Sequence, residues 1–215
     1  MAKNCPLCAF KNSNFFYSDQ KTTYLHCPRC DFVFVPKAYH LSTKEEKSRY
    51  DLHQNDPSDK DYRKFLSKLT KPLLKRIKPY SQGLDFGCGP GPTLSLMLSE
   101  CGHKIDLYDK FYQTDTNIFN KKYDFITATE VFEHLSEPGK QIAQLIQMLN
   151  ANGVLAMMTK IRNETSDFAS WYYKNDPTHI GFFSKNTFDY LAKKYQANLS
   201  FFGEDVIILS LGDAE

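Results

Sequence analysis

The sequence predicts an α/β fold, a doubly wound and mostly parallel sheet, preceded by a small cysteine-bearing ribbon. Three observations predict it. From residue 83 onward, short apolar runs of strand length alternate with segments of helical period, the pattern of a parallel sheet covered on both faces. A glycine-rich turn, Asp85-Phe-Gly87-Cys88-Gly89-Pro-Gly91, leaves the first of those strands and opens a helix. Ahead of both lie two Cys-x-x-Cys pairs, Cys5/Cys8 and Cys27/Cys30, separated by residues 9–26.

Residues 1–36 form the first predicted unit, with short strands over 14–17, 22–26 and 32–35 and Pro36 closing it. Residues 37–80 read as a helical connector. Its first helix runs from Thr43 to Tyr50, and the segment holding Tyr50, His53 and Asn55 is a candidate lid. Over 60–78 the period becomes helical. Tyr62, Phe65, Leu66, Leu69, Leu73 and Ile77 share one side, and Lys60, Arg63, Lys64, Lys68, Lys71, Lys75, Arg76 and Lys78 the other. Pro72 is expected to kink or split that helix.

Residues 81–215 form the main domain. Strands are predicted at 84–86, 104–108, 123–129 and 154–159, and helices over 93–101, 136–149 and from a Ser184 cap to about Tyr195. A closing hairpin is expected from 199–202 and 206–211. Cys101 is expected to end its helix in the core.

Charged residues make up 24% and hydrophobic residues 41%, ordinary for a soluble globular chain with a real core. The formal charge of +2 is too small to argue for nucleic acid by itself. The residues after Met1 show no apolar run, no stretch has membrane-spanning length, and lipidation motifs are absent. A cytoplasmic protein without membrane association is therefore expected. In that compartment paired cysteines read as metal ligands before they read as disulfides.

Two Cys-x-x-Cys knuckles at this spacing match a tetrahedral four-thiolate zinc site formed by Cys5, Cys8, Cys27 and Cys30. Four thiolates leave no open coordination position, so the ion is expected to be structural. It replaces a core that so short a segment cannot build. A redox pair and simple buried cysteines are the alternatives.

At the glycine turn, Asp85 sits inside the first strand, and Asp109 ends the second, where its two oxygens suit a ribose diol. Glu130 ends the next clear strand and is followed by Val-Phe-Glu133-His134-Leu. This arrangement resembles class I methyltransferases, whose first motif has the form acid-x-Gly-x-Gly-x-Gly. The resemblance covers roughly residues 83–211 and implies a Rossmann-like domain that binds S-adenosylmethionine. Asp85, Gly87, Cys88, Gly89, Gly91, Asp109 and Glu130 are the implied cofactor-side residues, with the turn around the methionine moiety and Asp109 on the ribose. The glycines alone would also suit a nicotinamide cofactor; Glu-Val-Phe-Glu-His-Leu favours the methyltransferase. Cys88 also reads as a small space-filler, and Asp85 as a partner for loop amides.

One departure from the pattern matters. Only residues 110–123 separate Asp109 from Asp124, where methyltransferases place a helix, a strand and an adenine-contacting acid. That unit is expected to be shortened or missing, and no adenine-contacting residue is assigned. The cysteine knuckles before such a core also resemble zinc-containing sugar C-methyltransferases and a guanine-modifying ribosomal RNA methyltransferase.

Methyl transfer requires alignment and, where the acceptor is protonated, a base. His179 is the first candidate base and His134 the second; each also reads as a buried, hydrogen-bonded core histidine. Trp171, Tyr172, Tyr173, Phe182 and Phe183 are expected to wall the acceptor pocket. Glu130, Glu133, His134 and His179 together resemble the metal site of small-RNA 2′-O-methyltransferases and some quinone O-methyltransferases, which implies a catalytic divalent metal; Glu130-Val-Phe-Glu-His is also found in similar enzymes that use no metal, where Glu133 reads as a cap of the following helix. The expected acceptor is a small or carrier-bound metabolite methylated at carbon or oxygen. RNA, held by the basic helix and the ribbon, is the alternative acceptor, against the plainer reading of that helix face as solvated. A module that senses S-adenosylmethionine without turnover, its ribbon contacting a protein, is the third reading.

Overall fold

Period-two burial in one long strand organises the molecule. In the computed structural model, which describes residues 4–52, 55–163 and 167–212, β7 (Leu149–Met158) sends Leu155 and Met157 to one face of the main sheet. It sends Val154, Ala156 and Met158 to the other. α4 (Pro138–Met148) and α5 (Lys185–Tyr195) cover the first face through Ile142, Leu145, Phe188 and Leu191. α2 (Lys60–Leu74) and α3 (Thr93–Glu100) cover the second through Leu66, Leu69, Leu73, Leu94 and Leu98. Fully burying each such leucine contributes about 1.5–3 kcal/mol.

The main sheet has the order β5-β4-β6-β7-β10-β9. β5 (Lys104–Tyr108), β4 (Gln82–Phe86), β6 (Tyr123–Thr129) and β7 run parallel. β10 (Val206–Ser210) lies antiparallel between β7 and β9 (Asn198–Phe202), the closing hairpin. Between β5 and β6 there is only a short 3-10 turn, Thr116–Asn120, so the helix-strand unit that the spacing questioned is missing. The chain order reverses between β5 and β6 around β4, and the carboxyl ends of those strands open on the site.

Several boundaries differ from the sequence reading. α2 passes through Pro72 and ends at Leu74; the Arg76 guanidinium bonds the Pro72 carbonyl at 3.0 Å just beyond. α4 starts at Pro138, a favoured first helical residue, instead of Ser136. Cys101 ends α3 but is exposed, not in the core.

The cysteine segment forms a second sheet, β1 (Asn14–Ser18), β2 (Thr23–His26) and β3 (Val33–Phe34). Its fourth strand, β8 (Gly181–Phe182), comes from the far end of the chain. A Cβ at Gly181 would lie 2.7 Å from the Phe32 ring, so glycine is what lets β8 close on β3. α1 (Thr43–Tyr50) starts at a Ser42/Glu45 capping box and buries no residue. Among the described residues, no helix is long and apolar enough to cross a membrane.

Candidate active site

The glycine turn begins where β4 ends. Gly87 and Gly89 have φ of +77° and +65°, the left-handed region that glycine enters without strain. A Cβ on Gly87 would sit 2.4 Å from Val131, so the turn also packs too closely for a side chain. The Gly87 and Cys88 amides donate to the Tyr108 carbonyl at 2.7 and 3.1 Å, tying the turn to β5. Asp109, just past β5, accepts the Gly89 amide at 3.1 Å on one oxygen and the Phe111 and Tyr112 amides at 2.8 and 3.2 Å on the other. Its carboxylate is thereby fixed at the lip of the turn.

Asp85 is fully buried. The hydroxyls of Ser95 and Thr127 donate to it at 2.7 and 2.8 Å, so it satisfies side chains and not the loop amides. Burial pushes its carboxyl above the usual range. Cys88 is also buried, and burial raises its thiol.

A cavity of about 590 Å³ opens above this turn, within the usual span for a small-molecule site. All seven residues implied on the cofactor side line it, and both candidate histidines line its other end. Tyr50 and Asn55 of the connector roof it, with Tyr62 and Phe65 of α2. His53, the third lid residue named from the sequence, lies outside the described residues. Asn55 leans on the turn: its carbonyl accepts the Thr93 hydroxyl at 2.8 Å. α1 is fastened by polar contacts, the Glu46 carboxylate on Lys110 at 2.7 Å and Asp51 on the Tyr112 hydroxyl at 2.7 Å.

At the histidine end of the cavity the rings of His134 and His179 lie 4.8 Å apart. Nδ1 of His134 faces the Thr178 carbonyl at 3.1 Å, and Nδ1 of His179 the Tyr173 carbonyl at 2.7 Å. A carbonyl only accepts, so each Nδ1 carries the hydrogen and each Nε2 keeps its lone pair. Burial lowers both rings to about 4, the neighbouring ring adding to the effect at His179. Both are therefore neutral near pH 7 and able to accept a proton.

Behind the histidines is a buried acid pair. Glu130 has φ +52°, a strained value outside glycine, set as β6 ends and its amide bonds the Met158 carbonyl at 2.8 Å. The Tyr173 hydroxyl reaches both Glu130, at 3.1 Å, and Glu133. Burial, then repulsion from Glu133, pushes Glu130 up to about 9, and burial raises Glu133 as well. Oε2 of Glu133 has no hydrogen-bond partner among the described residues. Of the four residues grouped as a metal site, Glu133, His134 and His179 bring ligand atoms within 4.8 Å of one another, while Glu130 is not part of that group.

The aromatic wall expected from the sequence is elsewhere. Trp171, Tyr172, Tyr173, Phe182 and Phe183 do not line the cavity. Phe182 and Phe183 are buried behind it, and Tyr172 is 66% exposed. The cavity takes its aromatic lining from Tyr50, Tyr62, Phe65, Phe86, Tyr108, Phe111 and Tyr112. Sequence reasoning missed the cavity role of Phe86, Phe111 and Lys110 and the hydroxyl bridge of Tyr173. Position just beyond a strand end was the one usable signal for Phe111 and Lys110.

The four cysteines form a separate cluster with all sulfurs within 4.8 Å of one another, Cys5–Cys30 at 3.6 Å and Cys8–Cys27 at 3.4 Å. A tetrahedral ion with sulfur ligands at ~2.3 Å spaces its sulfurs by ~3.8 Å, so the cluster fits one. None of the four is in a disulfide. On the basic helix, Arg63 pairs with Glu100 and Lys68 with Asp205, so part of that face is neutralised within the molecule.

A family model described as a methyltransferase domain matches residues 58–199. The chain belongs to the methyltransferase domain family. It is 31% identical over 84 residues to the ubiquinone biosynthesis O-methyltransferase of Photobacterium profundum, a match spanning 39% of this chain and 36% of that protein. The fold is similar to the 1,6-didemethyltoxoflavin-N1-methyltransferase of Burkholderia thailandensis, solved with its substrate and S-adenosylhomocysteine: TM-score 0.54 and 13% identity over 93% of this chain and 99% of that one. It is also similar to the PH0226 protein of Pyrococcus horikoshii, with TM-score 0.51 and 14% identity over 78% of this chain and 99% of that chain.

Proposed function

We propose that this methyltransferase-domain protein transfers a methyl group from S-adenosylmethionine to a small or carrier-bound acceptor, with His179, backed by His134, as the acceptor-side base. The observation that carries the reading is one cavity with a left-handed glycine turn and fixed Asp109 at one end and two neutral, Nδ1-anchored imidazoles at the other. The donor supplies an electrophilic methyl on a sulfonium, and the protein's own task is alignment. Gly87, Cys88, Gly89 and Gly91 let the backbone approach the methionine moiety, and Asp109 receives the ribose hydroxyls. Asp85 and Glu130 shape the floor, both carboxyls raised by burial. Nε2 of His179 takes the acceptor proton, and the lid residues Tyr50 and Asn55 exclude water. The chain's similarity to a ubiquinone biosynthesis O-methyltransferase and to a 1,6-didemethyltoxoflavin-N1-methyltransferase supports a small acceptor. Cys5, Cys8, Cys27 and Cys30 hold a structural zinc ion in this reading.

A second reading of the same end is favoured by the convergence of Glu133, His134 and His179 and by the unpartnered Glu133 oxygen. Two imidazole Nε2 atoms and one carboxylate oxygen are a fitting donor set for a divalent ion that lowers the acceptor hydroxyl's pKa.

The test is a crystal structure with S-adenosylhomocysteine together with turnover assays. The donor product is expected along residues 87–91 with its ribose on Asp109; an empty pocket or a bound dinucleotide defeats the assignment. Formation of S-adenosylhomocysteine with some acceptor dismisses a pure sensor. Turnover that survives removal of loosely held divalent ions, with the four-cysteine ion retained, selects the histidine base; loss restored by added metal selects the second reading.

A further inference from the structure

The two cysteine knuckles share one backbone but not one role. The Cys5 amide bonds the Phe10 carbonyl at 2.8 Å, and the Cys27 amide bonds the Phe32 carbonyl at 2.9 Å. Each turn closes on a left-handed residue, Ala9 at φ +60° and Asp31 at +56°. Ala9 carries nothing polar. The Asp31 carboxylate, only 21% exposed, takes donors from three directions: the Ser184 hydroxyl, His26 Nε2 at 2.7 Å and the Arg162 guanidinium at 2.8 Å. These interactions hold the carboxyl below its usual range even against burial.

Those partners frame the loop that carries His179. Ser184 ends it as the cap of α5, and the Arg162 amide bonds the Phe183 carbonyl at 2.7 Å. Beside Asp31, Phe32 packs on Phe183 with centroids 4.8 Å apart. β3 then pairs with β8, and the Val35 amide bonds the Ile180 carbonyl at 2.9 Å. Ile180, next to His179, gives its own amide to the Glu133 carbonyl at 2.8 Å. Its two backbone groups thus join the cysteine sheet to the buried acid pair. Phe182, Trp171 and Phe168 complete the joint by packing with Tyr24 of β2 in one aromatic cluster.

Resting on the placement of His179 at the acceptor end, we infer that the metal-bound knuckle and Asp31 act as a positioning device for the acceptor loop, holding residues 173–184 so that His179 faces the cavity. A ribbon that stabilised only itself would need no partly buried carboxylate aimed at Arg162 and Ser184. Arg162 is buried, so removing the partly buried Asp31 leaves its guanidinium without that carboxylate, and the pair therefore favours one seat for the loop. An ion on the four thiols fixes the turn from which Asp31 projects, so occupancy of that site reaches His179 through one side chain and one strand pair.

The experiment uses the full chain and needs no acceptor for its first readout. Trp171 is the only tryptophan and lies in the joint. In Asp31→Ala with metal content intact, the amides of Val35 and Ile180 should exchange at least tenfold faster, and Trp171 emission should move to the red. Amides of β4 and β6 and the affinity for S-adenosylhomocysteine should stay within twofold. Asp31→Asn, which keeps the left-handed turn and an acceptor for Ser184 but drops the ion pair, should fall between. Stripping the metal should loosen the same amides; if it unfolds the whole chain, the two Asp31 variants decide. With an acceptor in hand, kcat should fall at least tenfold at an unchanged donor KM. Wild-type exchange at Val35 and Ile180 in Asp31→Ala overturns the inference. A loosened loop with undiminished turnover instead removes His179 from the mechanism and leaves the positioning role standing.

Discussion

Replacing Glu130 with glutamine should stabilise the ligand-free protein, and the gain should grow as pH rises. Burial and the Glu133 charge push the Glu130 carboxyl up to about 9, against about 4.3 for an unfolded glutamate. Between those values the folded protein keeps a proton that the unfolded chain releases. The associated stability is complete below the unfolded value and drains as pH rises toward 9, by about 1.4 kcal/mol per unit. Glutamine cannot ionise, yet its carbonyl oxygen still accepts the Tyr173 hydroxyl that bonds Glu130 at 3.1 Å. From pH 6 to pH 8 the arithmetic gives nearly 3 kcal/mol, and partial exposure of the site reduces this to about 2 kcal/mol. Urea unfolding followed by Trp171 fluorescence at both pH values measures it. Both histidines lie at about 4 and stay neutral across this window, and Glu130 and Glu133 titrate as a pair, so the difference reads the proton of the pair. A stability difference that does not change with pH would show Glu130 already ionised in the folded protein and would refute the buried-acid account.

Three further outcomes are expected. Because burial holds His134 and His179 at about 4, the neutral base is present throughout the physiological range, so the rate should fall only on acidification toward that value; an acidic limb near 6.5 in initial-rate profiles would place the base elsewhere. Gly87→Ala should cost ~1–2 kcal/mol for its left-handed backbone and ~1–3 kcal/mol for the clash with Val131, and both it and Gly87→Arg should lose S-adenosylhomocysteine binding by calorimetry; wild-type affinity would move the donor site. Lys110→Ala removes the half-exposed pair that fastens α1 and should raise donor KM about two- to fivefold, a deficit that wild-type protein reproduces at high salt and that an unchanged KM would contradict.

What the sequence made legible was what local chemistry controls. The ends of β5, β6 and α1 follow from residue pattern, and the Ser184 cap stands where a hydroxyl precedes a helical period, while the Ser42 cap of α1 emerges from the structure. The two knuckles are readable because one tight turn presents both sulfurs of each pair. The glycine turn is readable because its backbone admits few other residues. The aromatic run from Trp171 to Phe183 was misplaced for the opposite reason. Its partners Tyr24 and Phe32 are about 150 positions away in sequence, and no local period shows that β3 seats a two-residue strand there. Likewise nothing near Tyr173 signals that its hydroxyl bridges two acids on another strand end.

The missing helix-strand unit links these two kinds of outcome. The gap between Asp109 and Asp124 was visible as a length, but what fills the space was not. β5 becomes an edge of the sheet, and edges require cover. Phe119 of the short turn packs on Tyr108 at 4.8 Å, and α1 reaches the same rim through Glu46 on Lys110 and Tyr50 on Phe111. A helix with no buried residue of its own thus stands beside the cavity near the β5 edge. Its ion pair with Lys110 is one that water and salt can replace, whereas the Tyr50 ring packs on Phe111 and His134, so salt separates the two kinds of hold.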